Sequence, residues 1–148
     1  MSHTTPITVD WGDTDAGGLI YYPRFFHFVI VGLNDYFSLA TDGEHPMEAY
    51  RKRGYLLPAV EASASFHSPL RAGDTALLET TVVDSGTSSL TVAFTIVRSS
   101  IDDRVADGEV SFVFVDETFE ATPLPDAMRE CIRERGDTAN EESASPPP

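Results

Sequence analysis

The chain has 148 residues, 41% of them hydrophobic, and sets 24 acidic side chains against 10 basic ones for a formal net charge of -14. That length supports one core of its own and is short for two ordinary domains. The charge disfavours nucleic acid and anionic membrane as partners, because it offers neither phosphate neutralisation nor steering.

Several placements follow from what is missing. The opening MSHTTPITVDWG has neither a basic cluster nor an apolar run, so no signal peptide is expected, and no window reaches the roughly 18 apolar residues of a membrane span. A cytoplasmic protein is the expectation. Cys131 stands alone, so it forms no internal disulfide, and no cysteine set is available for a structural metal. Residues 1–74 carry 9 acids and 5 bases, whereas 75–148 carry 15 and 5, and Lys52 is the only lysine. An acidic, lysine-poor surface suits a halophilic protein, whose self-repulsion is screened over about 3 Å at ~1 M salt. An ordinary acidic protein is the other reading.

In chain order, TPITVDW over residues 5–11 predicts a short strand, and the loop DTDAGGLIYYP over 13–23 follows. Pro23 suits the first turn of a helix, where its missing N–H would have no intrahelical partner. From Arg24 to about Ala40, the polar residues Arg24, His27, Asn34, Asp35 and Ser38 recur at helical spacings, with Val31 completing the row. One narrow polar stripe on a surface otherwise made of Phe, Val, Ile, Leu and Tyr predicts a helix wrapped on most of its circumference. MEAYRKRG is a further short helical piece. From Leu56 to Ser68 the chain alternates, with Leu56, Val60, Ala62, Ala64 and Phe66 on one side and Glu61, Ser63, Ser65 and His67 on the other. SPLRAGD makes a turn, and residues 75–83 and 89–98 read as a hairpin about DSGTS. After a turn at SSIDD, RVADGEVSFVFVD is a last long strand with Val110, Phe112 and Phe114 on one face. TPLPDAMRECIRER predicts a helix entered through Pro125, and residues 136–148, with no apolar residue beyond alanine, a disordered acidic and proline-rich tail.

One long helix and about five antiparallel strands make an α+β domain over residues 1–135. Five strands leave an edge, and the long regular strand after the second turn suits pairing with a copy of itself. A homodimer with a continuous sheet, or a homotetramer built from it, is expected.

The loop at 13–23 carries the chemistry. As a calcium loop it would need an oxygen ligand at the fifth position and a glutamate at the twelfth, where Gly17 and Arg24 stand. No metal is expected. The Gly17-Gly18 pair also lacks the spacing and lysine of a nucleotide-phosphate loop. A plain turn with a capping carboxylate stays open, because Asp caps helices and Gly suits turns. Capping needs one carboxylate near the first turn, however, and Asp15 stands well before Pro23 with the apolar LIYY between. A carboxylate at the mouth of an apolar helix is raised in pKa by desolvation and lowered by the helix N-terminus.

VDWGDTDAGGLIYYPRFF resembles the signature of the 4-hydroxybenzoyl-CoA thioesterase branch of the hotdog-fold superfamily, in which a strand ends in Gly-Asp-x-Asp-x-x-Gly and continues through an aromatic pair and Pro into the central helix. DTDAGG is also similar to the short-chain acyl-CoA thioesterases of bacterial Tol-Pal gene clusters. FHSPLRAGD, SGTSSL and PLPDAMRE fall where that family has similar segments, so the likeness spans residues 4–135. The resemblance implies a hotdog fold, with an antiparallel sheet around a long helix and sheet pairing between subunits. It implies hydrolysis of acyl-CoA thioesters with no cofactor, coenzyme A being part of the substrate. Asp15 takes the catalytic position, as nucleophile or general base, and Asp13 an acidic position without that role. The backbone N–H of Tyr22 would donate to the thioester carbonyl, which fits the preference of a helix N-terminus for developing negative charge.

Gly17, Gly18, Tyr21 and Pro23 belong to the same motif and would line the substrate. The Tol-Pal type carries His where this chain has Tyr22, so Tyr21 and Tyr22 suit either a bulky or aromatic acyl group or simple packing. Lys52, flanked by Arg51 and Arg53, and Arg71 in its turn could meet the coenzyme A phosphates or could be solvated charges. Glu61 could orient water or could lie on an exposed strand face. An enoyl-CoA hydratase or dehydratase on the same fold is a rival, but it needs a histidine close after the Asp, and residues 16–23 contain none. His27 and His67 read as solvated. A non-catalytic acyl-CoA-binding module is the rival from another class, set against it by the presence of Asp15.

Overall fold

The computed structural model describes residues 3–98 and 103–137. The predicted tail beyond Asp137 and most of the turn at SSIDD lie outside these residues. Strand β1 (His3–Thr8) leads through a 3-10 turn at Trp11–Asp13 and the loop into helix α1 (Arg24–Tyr36). Helix α2 (Pro46–Lys52), the two-residue strand β2 (Tyr55–Leu56) and strand β3 (Ala59–Phe66) follow. Strands β4 (Thr75–Ser85), β5 (Ser89–Val97) and β6 (Arg104–Val113), a short β7 (Val115–Asp116) and helix α3 (Asp126–Glu134) complete the chain. The five long strands form one antiparallel sheet in the order β1-β4-β5-β6-β3. This is the α+β hotdog arrangement, with α1 packed against β4 and β1.

The alternation that predicts strand β5 also decides what it buries. Leu90, Val92, Phe94 and Ile96 all enter the core, while Thr91, Ala93 and Thr95 on the other face stay partly exposed. Helix α1 meets them with Phe25, Phe28, Val29, Leu33 and Tyr36. The closest approach is at Gly32, where a Cβ would lie 2.6 Å from both Leu78 Cδ2 and Thr80 Oγ1 on β4. Only glycine lets the helix axis come so near the sheet.

Two expectations of element length are corrected. Helix α1 ends at Tyr36 rather than near Ala40: the Ser38 hydroxyl donates back to the Asp35 carbonyl at 2.9 Å, a 3-10 turn spans Ser38–Thr41, and Asp42 (φ 54) and Gly43 (φ 84) turn left-handed. Side chains that compete for backbone carbonyls end helices in this way. The helix is otherwise covered as expected, with its exposed residues His27, Ile30 and Val31 on one side. It packs on β4 and β1, and Ile30 and Val31 stay more than a third exposed. The long strand expected over 56–68 is interrupted at Pro58, which has no N–H for a ladder; its carbonyl accepts from Val113 N–H, and β2 and β7 peel away together as a separate ribbon.

The strand expected to pair with a copy of itself has no free edge, since β4, β5 and β6 are all interior to the sheet and the edges are β1 and β3. Strand β3 also differs in its exposure. The face expected to be buried carries Val60, 61% exposed, and Phe66, 46% exposed, because β3 is the sheet edge farthest from β1 and α1 does not cover it. Only Ala64 reaches the core.

Candidate active site

The two carboxylates of the loop take opposite positions. Asp13 is buried: its Oδ1 accepts from Arg24 Nε at 2.9 Å and Nη2 at 2.6 Å, and its Oδ2 accepts from the Asp10 N–H at 2.9 Å. Burial alone would push the carboxyl pKa up, but the Asp10 amide and the Arg24 guanidinium outweigh it and hold the group below the ordinary 3.8. The Asp13 carbonyl accepts from Tyr21 N–H at 2.8 Å, so this residue clips the end of β1 to the start of α1. It is a structural clamp.

Asp15 is exposed in a single chain. The desolvation expected for it is therefore not supplied by one chain alone. Its Oδ1 accepts from Gly17 N–H at 2.8 Å and Leu19 N–H at 3.4 Å, and its backbone exchanges hydrogen bonds with Leu19 and Gly18. Both glycines fit the loop closely. A Cβ on Gly17 would lie 3.3 Å from Asp15 Oδ1, and Gly18 sits at φ 83. The loop is a small hairpin that fixes the Asp15 carboxylate by its own amides and leaves Oδ2 without a protein partner among the described residues.

Beyond the hairpin the chain enters α1. Arg24, Phe25 and Phe26 donate their N–H groups to the carbonyls of Tyr21, Tyr22 and Pro23, and Pro23 has no N–H to offer. The Tyr22 N–H has no acceptor among the described residues. It is thus an available donor at the positive end of a helix, where a developing anion is favoured.

An open cleft of about 340 Å³ adjoins this point, lined by Leu19, Ile20, Tyr22, Phe25, Phe66 and the segment His67, Ser68 and Pro69. The rings of Tyr21, Tyr22, Phe66 and Phe25 follow one another with centroids 5.7, 6.1 and 5.0 Å apart. Leu19 bridges to Arg71, which brings the turn after β3 against the Asp15 loop. Arg71 makes no ion pair among the described residues.

The other predicted residues are not gathered here within one chain. Lys52 pairs with Glu44 at 3.1 Å and Arg51 with Glu48 at 2.5 Å on α2, and Arg53 lies over the Tyr50 ring. A smaller apolar cavity, about 180 Å³ between α2 and β2, takes none of its lining from the Asp15 loop. Glu61 is exposed on β3 opposite Ser111. His27 is exposed on α1, as expected. His67 is exposed, as expected, but it also lines the cleft, and its Nε2 lies 2.8 Å from Asp107 Oδ2. Nothing in the spacing announces that pair, which is made by the register of β3 on β6, with Phe66 opposite Ala106. Among the described residues no group of three or more His, Cys, Asp or Glu is placed to hold a metal ion, and no helix is long and apolar enough to cross a membrane.

The fold has close parallels. The chain is 24% identical over 135 residues, 90% of each partner, to a 1,4-dihydroxy-2-naphthoyl-CoA hydrolase of Thermosynechococcus vestitus. Among solved structures, the 1,4-dihydroxy-2-naphthoyl-CoA thioesterase from Synechocystis superposes with a TM-score of 0.81 at 20% identity, covering 93% of this chain and 100% of that one. A gentisyl-coenzyme A thioesterase superposes at 0.77 and 21% identity, covering 88% and 99%. The family model of the thioesterase-like superfamily matches residues 9–132, which include the whole Asp15 loop, α1 and strands β2 to β7. The chain belongs to the thioesterase-like superfamily.

Proposed function

We propose that this protein hydrolyses acyl-CoA thioesters to a carboxylate and coenzyme A, in the manner of the 4-hydroxybenzoyl-CoA thioesterase branch, with Asp15 as the reactive carboxylate. The single observation that carries the reading is the Tyr22 N–H, unoccupied at the start of α1 beside a carboxylate held by its own loop. A thioester carbonyl accepting from that amide would present its carbon to Asp15. Asp15 then either attacks, forming an acyl anhydride as the C–S bond breaks and water later releases the acid, or takes a proton from an attacking water. In both routes the amide stabilises the oxyanion, a contribution typically on the order of 10²-fold or more in turnover. The supporting residues act on the loop: Asp13 and Arg24 anchor it, Gly17 and Gly18 let it close, and Pro23 starts the helix.

The acyl group enters the cleft beside Tyr22, whose aromatic lining, with Tyr21 at its rim, favours a flat or bulky group. Of the basic residues, Arg71 is the best placed for a coenzyme A phosphate, since Arg51 and Lys52 already hold glutamates. A second copy paired along β3 would cover the exposed Val60 and Phe66, desolvate the site and bring Glu61 towards it from the partner. The working unit is therefore a homodimer or a homotetramer, in a salt-rich cytoplasm that screens the charge of -14.

The test is release of free thiol by the purified protein in multi-molar salt, across acyl-CoA esters graded by chain length and aromaticity. Release from at least one ester class is expected. Binding without release across the panel would identify a non-catalytic acyl-CoA module instead.

A further inference from the structure

Most of the cleft beside Tyr22 is hydrocarbon: Leu19, Ile20, Phe25, Phe66 and Pro69. An apolar cavity of about 150 Å³ is enough for a benzene, so about 340 Å³ takes a substituted ring or a branched chain. His67 breaks this apolar surface. Its side chain is 44% exposed, and it is held from behind: Nε2 lies 2.8 Å from Asp107 Oδ2, and Asp107 is itself 3.5 Å from Arg104 Nη1.

The pairing fixes the chemistry of the other ring nitrogen. A nitrogen facing a carboxylate must be the N–H donor, and in the neutral imidazole the remaining nitrogen is then an acceptor. Nδ1 has no partner among the described residues. A lone acceptor at the wall of an apolar cleft is matched by a hydroxyl, which can donate to it. A carboxylate on the acyl group would meet Asp107 and a chain of net charge -14, so an anionic group is disfavoured.

We propose that His67, positioned by Asp107, is a specificity residue that reads a hydroxyl substituent on the acyl group. The proposal rests on the cleft being the acyl site of the thioesterase reading. A hydrogen bond at a half-exposed position is worth about a factor of ten at most, which sets the size of the effect. Asp107 acts through the ring: it keeps Nε2 occupied and leaves Nδ1 as the free nitrogen.

The experiment uses the full chain carrying Asp15→Asn, which stops turnover during titration, and measures binding of benzoyl-CoA and of each ring-hydroxylated benzoyl-CoA by calorimetry. At least one hydroxylated ester should bind about tenfold more tightly than benzoyl-CoA. Adding His67→Phe should bring that ratio close to one, and His67→Gln, whose side chain still offers an acceptor, should keep part of it. Asp107→Asn should lower the ratio and Asp107→Glu restore it, which a merely structural role for Asp107 would not produce. Equal affinity for all the esters, or a preference that survives His67→Phe, would overturn the proposal. Thiol release by the unsubstituted protein is measured in parallel. If it fails while the binding preference and its loss in His67→Phe stand, the hydrolase reading falls and His67 keeps its role.

Discussion

Asp13 and Asp15 show how far identical side chains diverge when backbone geometry differs by two positions. Asp13 closes an ion pair with Arg24 and is buried; Asp15 is solvent-facing and bonded only to amides of its own hairpin. The asymmetry implies a pH signature. Because the folded pKa of Asp13 lies below the ordinary 3.8, its contribution to stability is complete above that value and is lost as pH falls through the lower folded one. Asp13→Asn should therefore destabilise the protein at neutral pH, and the gap from the parent should narrow on acidification below pH 4, as read by denaturant unfolding at several pH values. Tyr22 makes a complementary case: Tyr22→Phe keeps the proposed amide donor and should cost only a few-fold in kcat, well short of the order of 10²-fold typical of a lost oxyanion donor. The proposed reactive carboxylate is legible in the sequence through a resemblance, but spacing does not separate the clamp from it, since the Arg24 contact exists only once α1 folds back on the end of β1. The pairing of His67 with Asp107 was hidden for the same reason, as partners 40 residues apart meet only through strand register.

At the level of elements, what was legible is what is local. The β4–β5 hairpin, strand β6 and the helix entered through Pro125 stand where alternation and turn chemistry place them, because each needs only its own residues to show a buried face. Strand β3 was misread in its exposure because burial there depends on what lies over the sheet edge, which no pattern within the strand encodes. The extent of α1 was overestimated because apolar periodicity continues through Phe37 and Leu39 while backbone preferences at Ser38, Asp42 and Gly43 end the helix. The contact of α1 with β4 gives a test. Gly32→Ala puts a methyl 2.6 Å from Leu78 and Thr80, and both are fully buried, so neither yields freely. The expected loss is about 1–3 kcal/mol, the range for overpacking a filled core, measured by chemical denaturation. A neutral outcome would mean that helix and sheet are not pressed together at this glycine.

For the molecule as a whole, the exposed edge and the charge set the expectations. A strand with both faces open and Val60 61% exposed is unsuited to a lone chain in water. Val60→Asp, harmless to a single chain because the side chain already faces solvent, should shift light-scattering mass towards monomer; an unchanged assembly would place the interface elsewhere. The excess of acids over bases, 24 to 10, should make the melting temperature rise as salt increases from ~0.1 M to the multi-molar range, since the screening length falls from about 10 Å to 3 Å by 1 M. A melting temperature indifferent to salt would favour an ordinary acidic protein. Whether Asp15 and the start of α1 form a thioester-hydrolysing site is decided by thiol release from acyl-CoA esters with Asp15→Asn beside the parent protein, with circular dichroism and light scattering to check that fold and assembly are retained. The parent should release thiol and the variant should lose most of this activity; undiminished hydrolysis by Asp15→Asn would rule out Asp15 as the reactive group.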